Sequence, residues 1–420
     1  MTHSPQYTPS LRSPSYSEDP MRGEITLAST LRPSSIRRTS SGTFSKDFGN
    51  ISLNLERQDS TTTIPTYPQN GLVAGSITVK EPRSVLQVRL KFVGKLKLNV
   101  SGFLNEGCKY IETVNQNFIL WSSCSSPAET ACPESLAFAA RIPSTFRDGD
   151  AVFSLPPSYE TNSTGLPSFC ASASYHLKVV ISRSSMWNFT TKKSFRLPIN
   201  YLPRSRPPQP VLNGRNFLST VKVLPEEWYQ SSSVLKPRFA FRNVVRPVDV
   251  NFFVPVVRIF GISDTIPVHI HFCGPLSSLQ VVHSRLLLED ERVTRWGRKN
   301  TSMVLSVELR RQVSVEFEGR SGWKNWVIGS GILRPSTPPF YCHTRGSCST
   351  HDNEEMDWEG EVRCKADVRI GRFDSGCIAL KDFILLSITS PSTSIPFHAV
   401  GNAVAISLVT DSWLSSEYHL

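Results

Sequence analysis

Tyr201-Leu-Pro-Arg-Ser-Arg-Pro-Pro-Gln-Pro-Val211 places four prolines within eight residues, and a sheet cannot pair through it. Each proline removes a ladder donor and holds φ near the polyproline value, so the stretch reads as a stiff, extended connector. The pattern on either side is that of strands, which makes the chain two β-rich halves joined by a hinge. Residues 204–210 also have the basic-x-x-Pro-x-x-Pro spacing of an SH3-groove ligand, but a spacer between domains accounts for them.

Upstream of the hinge the period is two. Val88, Leu90, Phe92, Leu96, Leu98 and Val100 fall on one parity, with Arg89, Lys91, Lys95, Lys97 and Asn99 on the other. This is the alternation of half-buried strands, and Gly94 between the two runs predicts a bulge. Further strands are expected at 116–121 and 136–142. The longest is at 169–181, where Phe169, Ala171, Ala173, Tyr175, Leu177, Val179 and Ile181 share a face. Phe195, Leu197, Ile199 and Tyr201 then lead into the hinge. Residues 1–45 are rich in Ser, Pro and Thr and poor in large apolar side chains, so they are expected to be a disordered tail. Within it, Arg37-Arg38-Thr39-Ser40 has the form basic-basic-x-Ser and marks Ser40 as a phosphorylation candidate, which would add negative charge to a basic tail.

Downstream, a less patterned segment precedes strands expected at 251–260, 268–273, 279–288, 304–317, 326–333, 361–370, 377–389 and 400–409. Turn residues separate them and no amphipathic helix of several turns interrupts. The polar stretch 334–360 reads as an exposed insertion. The expected fold class is therefore all-β, two consecutive immunoglobulin-like β-sandwiches. The boundaries are a tail over 1–45, a first sandwich over 46–203, the hinge and connecting segment over 204–245, a second sandwich with its insertion over 246–410, and a short tail over 411–420.

A chain of 420 residues is too long for one ordinary core. Its formal charge of +11 points to an acidic partner surface, such as anionic lipid or a phosphorylated tail. No nucleic-acid motif accompanies that charge. The first 27 residues lack the apolar run of a signal peptide, and no run of about 18 apolar residues suits a bilayer. With nine cysteines in no regular framework, the expectation is reduced thiols in the cytoplasm. Sequons at Asn50, Asn99, Asn162, Asn188 and Asn300 would matter only after export, where the alternative is a secreted sugar-binding β-protein.

Two Pro-Pro-x-Tyr tetrapeptides stand out, Pro156-Pro157-Ser158-Tyr159 and Pro338-Pro339-Phe340-Tyr341. Two prolines in a polyproline helix fill an aromatic groove at low entropic cost while the tyrosine enters a neighbouring pocket, which is the chemistry a WW domain reads. The copy at 156–159 also reads as a turn whose tyrosine packs on the core, so the copy in the insertion, Pro338, Pro339 and Tyr341, is the stronger candidate. Arg292, Arg295, Arg298 and Lys299 surround Trp296 and could hold a phosphorylated tail or anionic headgroups. Cys342, His343, Cys348 and His351 are ligand types at a spacing unlike the common zinc patterns. His269 and His271 alternate with Val268, Ile270 and Phe272, and a solvent-facing strand side explains them without a metal. No nucleophile elbow, Walker loop, dinucleotide fingerprint or His-Glu-x-x-His is present, so neither catalysis nor a metal or other cofactor is expected.

Taken together, the chain resembles the arrestin fold, in particular the fungal α-arrestins. The resemblance is carried by Leu155-Pro-Pro-Ser-Tyr-Glu160, by the long strand with Tyr175, Leu177 and Val179, by Ile266-Pro-Val-His-Ile-His-Phe272 with Gly274-Pro275 as the opening hairpin of the second sandwich, and by Asp382-Phe-Ile-Leu-Leu-Ser-Ile388 as its closing strand. It covers about 46–410. It implies a non-enzymatic adaptor that engages the cytoplasmic tails of membrane transporters or receptors and recruits the WW domains of a HECT-type ubiquitin ligase through Pro-Pro-x-Tyr, leading to cargo ubiquitination and endocytosis. Such a protein is cytoplasmic and associates peripherally with the plasma membrane or endosomes. Family members carry the motif in a long C-terminal tail, whereas this sequence stops about ten residues after its last expected strand. An arrestin-fold trafficking scaffold without ligase recruitment is the alternative.

Overall fold

The alternating stretch of the first half forms strand β5 (Val85–Ser101), which runs antiparallel to β11 (Ser168–Ser184) over nearly its whole length. The computed structural model describes residues 42–58, 62–102, 106–123, 131–165, 168–184, 190–211, 221–288, 302–336, 353–390 and 392–413. Val88 to Val100 on one parity and Phe169 to Ile181 on the other strand's matching parity are all buried, as period-two patterning requires. At Gly94 the pairing of β5 with β6 (Gly107–Ser122) shifts register, the predicted bulge. A Cβ at Gly94 would lie 2.7 Å from the Tyr175 ring, so the close approach there needs glycine.

These strands belong to a six-stranded sheet that also holds β12 (Thr190–Tyr201), β3 (Thr66–Tyr67) and β10 (Tyr159–Ser163). A four-stranded sheet contains β1 (Thr43–Asp47), β2 (Ile51–Glu56), β4 (Leu72–Val79) and β7 (Ser135–Arg141), and β8 (Thr145–Asp148) pairs antiparallel with β9 (Ala151–Ser154) in a separate two-stranded sheet. Leu53, Ile77 and Phe138 of the four-stranded sheet share one hydrophobic core with Phe92 and Leu177 of the six-stranded one.

The second half is a ten-stranded sheet. Its order is β13 (Trp228–Leu235), β14 (Val248–Pro255), β16 (Ile266–Pro275), β20 (Asn353–Cys364), β19 (Arg320–Pro335), β18 (Met303–Phe317), β21 (Ile378–Thr389), β22 (Val400–Val409) and β15 (Ile259–Gly261), with β17 (Leu286–Leu288) beside β18. The sheet curls until β13 meets β22, where Ser231 Oγ donates to Asn402 Oδ1 at 2.7 Å and Asn402 Nδ2 donates to the Ser231 carbonyl at 2.9 Å. A second hydrophobic core lies within the curl and includes Phe252, Phe272, Leu309 and Leu386. The far ends of β18 and β21, through Val313, Val315, Ile378 and Leu380, reach into the first core instead. Phe169 meets Trp326 edge-on at 6.0 Å, and Lys324 Nζ donates to the Thr164 carbonyl at 3.0 Å. The described residues, 42 to 413, fall within one compact unit. The chain is all-β, with large curled sheets and little helix.

Several expectations are corrected. Residues 279–288 are strand only at their end, in β17: α1 (Leu276–Arg285) occupies the rest, burying Leu279 and Val282 on one side. A short apolar run with adjacent valines is ambiguous between strand and helix, and here the spacing of three wins. Within 204–245, β13 was hidden by its Gln-Ser-Ser-Ser run; pairing with β14 along its full length makes the strand. The expected loop 334–360 is partly strand, since β19 runs to Pro335 and β20 begins at Asn353, while the strand expected at 361–370 ends at Cys364. Acidic residues on one parity of β20 disguised the apolar row of Met356, Trp358 and Val362 on the other. The stretch 251–260 divides into β14 and β15, the latter running parallel to β22. The segment around Asp382 is followed by β22, so it is a central strand and not a closing one. At 43–47, assigned to the tail and the start of the first sandwich, lies β1.

The proline connector is strand-free but tied down. Arg204 bonds both Asp411 carboxylate oxygens, Ser205 N donates to Thr410 Oγ1 at 2.8 Å, and Asp411 N donates back to the Ser205 carbonyl at 3.0 Å. Asp411, assigned to the C-terminal tail, is therefore part of the fold.

Candidate functional site

Period-two alternation aims every second residue of β5 and β11 away from the core. On β5 these are Arg89, Lys91, Lys95, Lys97 and Asn99; on β11 they include Ser174, His176 and Lys178; on β12, Lys192 and Arg196. Pairing brings them into rows. Lys178 lies directly opposite Lys91 on one side and Arg196 on the other, so three cations stand abreast on neighbouring strands. Lys95 and Lys97 follow along β5, opposite Ser174 and Ser172. Among the described residues none of Lys91, Lys95, Lys97, Lys178 and Arg196 forms an ion pair. Lys97 instead sits over the exposed Tyr110 ring at 5.6 Å. Among the described residues on these strands, Glu112, opposite Lys95, and Glu160, opposite Ser172, are the acids on this face.

His176 reports the field of the patch. Its imidazole is held below the usual histidine range, first by partial burial and then by Arg196, Lys95 and Lys178. Like charges directly opposite across a sheet cost stability, so a row of three with no counter-ion is an arrangement that an acidic partner would relieve. The face combines a paired-strand backbone with the amines of the half-buried Lys91 and Lys178 and the exposed Lys95 and Lys97, and the guanidinium of the exposed Arg196. Chemically it is suited to holding carboxylates or phosphates.

The first Pro-Pro-x-Tyr copy is built into the sheet. Pro156 and Pro157 are buried, and the Tyr175 hydroxyl donates to the Pro156 carbonyl at 2.5 Å. Ser158 N donates to the Tyr201 carbonyl at 2.8 Å while Ser158 Oγ accepts from Tyr201 N at 2.9 Å. Tyr159 opens β10, paired with Ala173, and its half-buried ring meets Phe373 edge-on at 5.7 Å. Burial raises its hydroxyl pKa, as burial of Tyr201 pushes that hydroxyl up to about 12. The other copy, Pro338, Pro339 and Tyr341, lies outside the described residues. So do Arg292, Arg295, Arg298 and Lys299, the phosphorylation candidate Ser40, and Cys342, His343, Cys348 and His351.

His269 and His271 do not line a solvent face, contrary to the sequence expectation. His269 is only 2% exposed, and both rings converge on Asp357 of β20, His269 Nε2 at 3.0 Å and His271 Nδ1 at 2.8 Å from the same oxygen, Oδ1. Burial works to raise the Asp357 carboxyl, but the two histidine hydrogen bonds outweigh it and hold the group well below the usual carboxylate range. The hydrogen bond to Asp357 raises the His271 imidazole against the opposing effect of burial.

Sequence reasoning found the outward cations of β5 but not their neighbours on β11 and β12, and it missed Asp357 entirely. Lys178 was visible as the residue between Leu177 and Val179; nothing local to it signals Lys91 or Arg196. No family model matches this sequence, and no curated protein does either. Among the described residues, no helix is long and apolar enough to cross a membrane.

Proposed function

We propose that this chain is a non-catalytic adaptor of arrestin-like build, two β-sandwiches in tandem, that holds acidic cytoplasmic segments of membrane cargo on the outer face of its six-stranded sheet. The observation that carries the reading is the unpaired cation row Lys91, Lys178 and Arg196, extended by Lys95 and Lys97. The two separate hydrophobic cores support the tandem arrangement. In this reading a WW domain of a HECT-type ubiquitin ligase is recruited through Pro338, Pro339 and Tyr341. The copy at Pro156, Pro157 and Tyr159 serves the fold, its prolines buried and its backbone committed to Tyr201 and Tyr175. That same burial favours, as a second reading, a trafficking scaffold of this fold that recruits no ligase, because it leaves one motif in place of two.

Two measurements test these readings. Replacing Lys91, Lys178 and Arg196 by Gln is expected to weaken binding to an acidic peptide or to phosphatidylserine vesicles about 100-fold, at about 1 kcal/mol for each cation near an anionic surface. Equal binding by the variant and the wild type would overturn the basic-face assignment. For recruitment, Tyr341→Ala alone is expected to abolish capture by a WW-domain protein, and undiminished capture would leave the scaffold reading. Tyr159→Ala is the wrong probe, because removing a ring packed on Phe373 is expected to cost about 2 kcal/mol of stability whatever it does to binding.

A further inference from the structure

The pairing of β16 with β20 places His271 opposite Asp357 and Cys273 opposite Glu355 on one side of the second sheet. One ligand atom each from His271, Glu355 and Asp357 lies within 4.8 Å of the other two. Donors sharing one ion at bond lengths of about 2.0–2.2 Å are at most about 4.4 Å apart, so side-chain adjustment at the exposed Glu355 is enough to bring the three around a single ion. The set is one imidazole and two carboxylates, the mix that borderline divalent cations such as zinc prefer and that leaves a coordination position for water. All three residues stand on paired strands, which hold their spacing before any ion arrives.

A second observation comes from beneath the cluster. His269, all but fully buried, sends its Nε2 to Asp357 Oδ1 at 3.0 Å, and its Nδ1 has no hydrogen-bond partner among the described residues. Burying an imidazole with one nitrogen unpartnered costs stability, so the Nε2 contact with Asp357 is the one polar interaction that holds this ring among the described residues. A buried imidazole that orients a carboxylate from behind is what a metal ligand needs as its support. Glu355, by contrast, is exposed and among the described residues is held only by Lys222 at 4.0 Å, both side chains being about half exposed, so this weak pair yields easily to a cation.

We propose that His271, Glu355 and Asp357 form a binding site for a zinc-class divalent cation, with His269 positioning Asp357, and that the ion pins β16 to β20. The site is independent of the basic face and of the adaptor reading. It also differs from any site built on Cys342, His343, Cys348 and His351.

The test is calorimetric titration of the full chain, stripped with EDTA and desalted, with zinc chloride, followed by a thermal melt. One site of micromolar affinity or better is expected, with a rise in Tm on saturation. His271→Gln and Glu355→Gln should each weaken it about tenfold or more, while the double change Cys342→Ser and Cys348→Ser leaves it intact. Glu355→Gln alters an exposed side chain, so its folding is expected to match the wild type. Cobalt in place of zinc should give d–d bands without a thiolate charge-transfer band. Absence of binding at about 100 µM zinc, equal affinity in His271→Gln and Glu355→Gln, magnesium bound as tightly as zinc, or a thiolate band lost in the double cysteine variant would each overturn the proposal.

Discussion

Two cross-strand pairs show opposite uses of charge. Arg311 of β18 lies directly opposite Asp382 of β21, as Lys178 of β11 lies directly opposite Lys91 of β5. The first pair is of opposite sign and buried, with side chains 8% and 0% exposed. Arg311 Nε donates to Asp382 Oδ1 at 2.7 Å, Nη2 to Oδ2 at 3.2 Å and Nη1 to the Ile370 carbonyl at 2.7 Å, so its fork is filled. The second pair is of like sign, reaches solvent, and has Arg196 as a third cation alongside. Charge that the fold needs is neutralised inside the fold. Charge left in a row without a counter-ion is a cost that structure alone does not repay, which is why the proposed partner surface is the outer face of the first half and not the buried pair.

The sharpest way to break this contrast is to remove one member of each pair. Asp382→Asn strands a buried guanidinium and is expected to cost about 3–5 kcal/mol in urea unfolding. A loss below about 1 kcal/mol would mean that the pair is not the closed unit described here. Lys178→Glu should act in the opposite direction. It places a carboxylate between Lys91 and Arg196 and is expected to stabilise by about 0.2–1 kcal/mol while weakening acidic ligands. Destabilisation by that change would show that the cation row is compensated by something other than a partner.

The smallest effect is the pH response of His176. Its pKa is lowered in the folded state, so the unfolded chain takes up the proton more readily. Stability from this group is therefore full above the unfolded value near 6.5 and falls as pH drops through that value toward the folded one. Replacement by Asn should remove that part of the slope. Docking of an acidic peptide on the face should raise the His176 pKa, which NMR titration of the imidazole reads directly. An unmoved pKa with peptide bound would place the peptide elsewhere.

Much of the fold was legible because burial of one strand face leaves a period-two trace. The runs Val88 to Val100 and Phe169 to Ile181 showed it, as did Gly94 between the runs of β5. Legibility failed where the trace was absent or double. The serines of β13 have no apolar alternation, the acids of β20 mask one, and the apolar residues of α1 fit either period until the core selects Leu279 and Val282.

What the sequence alone determined is which residues share a side of a strand: it kept Lys91, Lys95, Lys97 and Lys178 off the core side, and put His269 and His271 together without deciding that their side is buried. Only the tertiary structure decided their neighbours. Alternation specifies a face but not a partner, since which strands pair, and in what register, depends on how distant segments fill a common core. That register set Lys178 between Lys91 and Arg196 and carried Asp357 to His271, and with those placements it decided where the molecule is open to an anion and where to a cation.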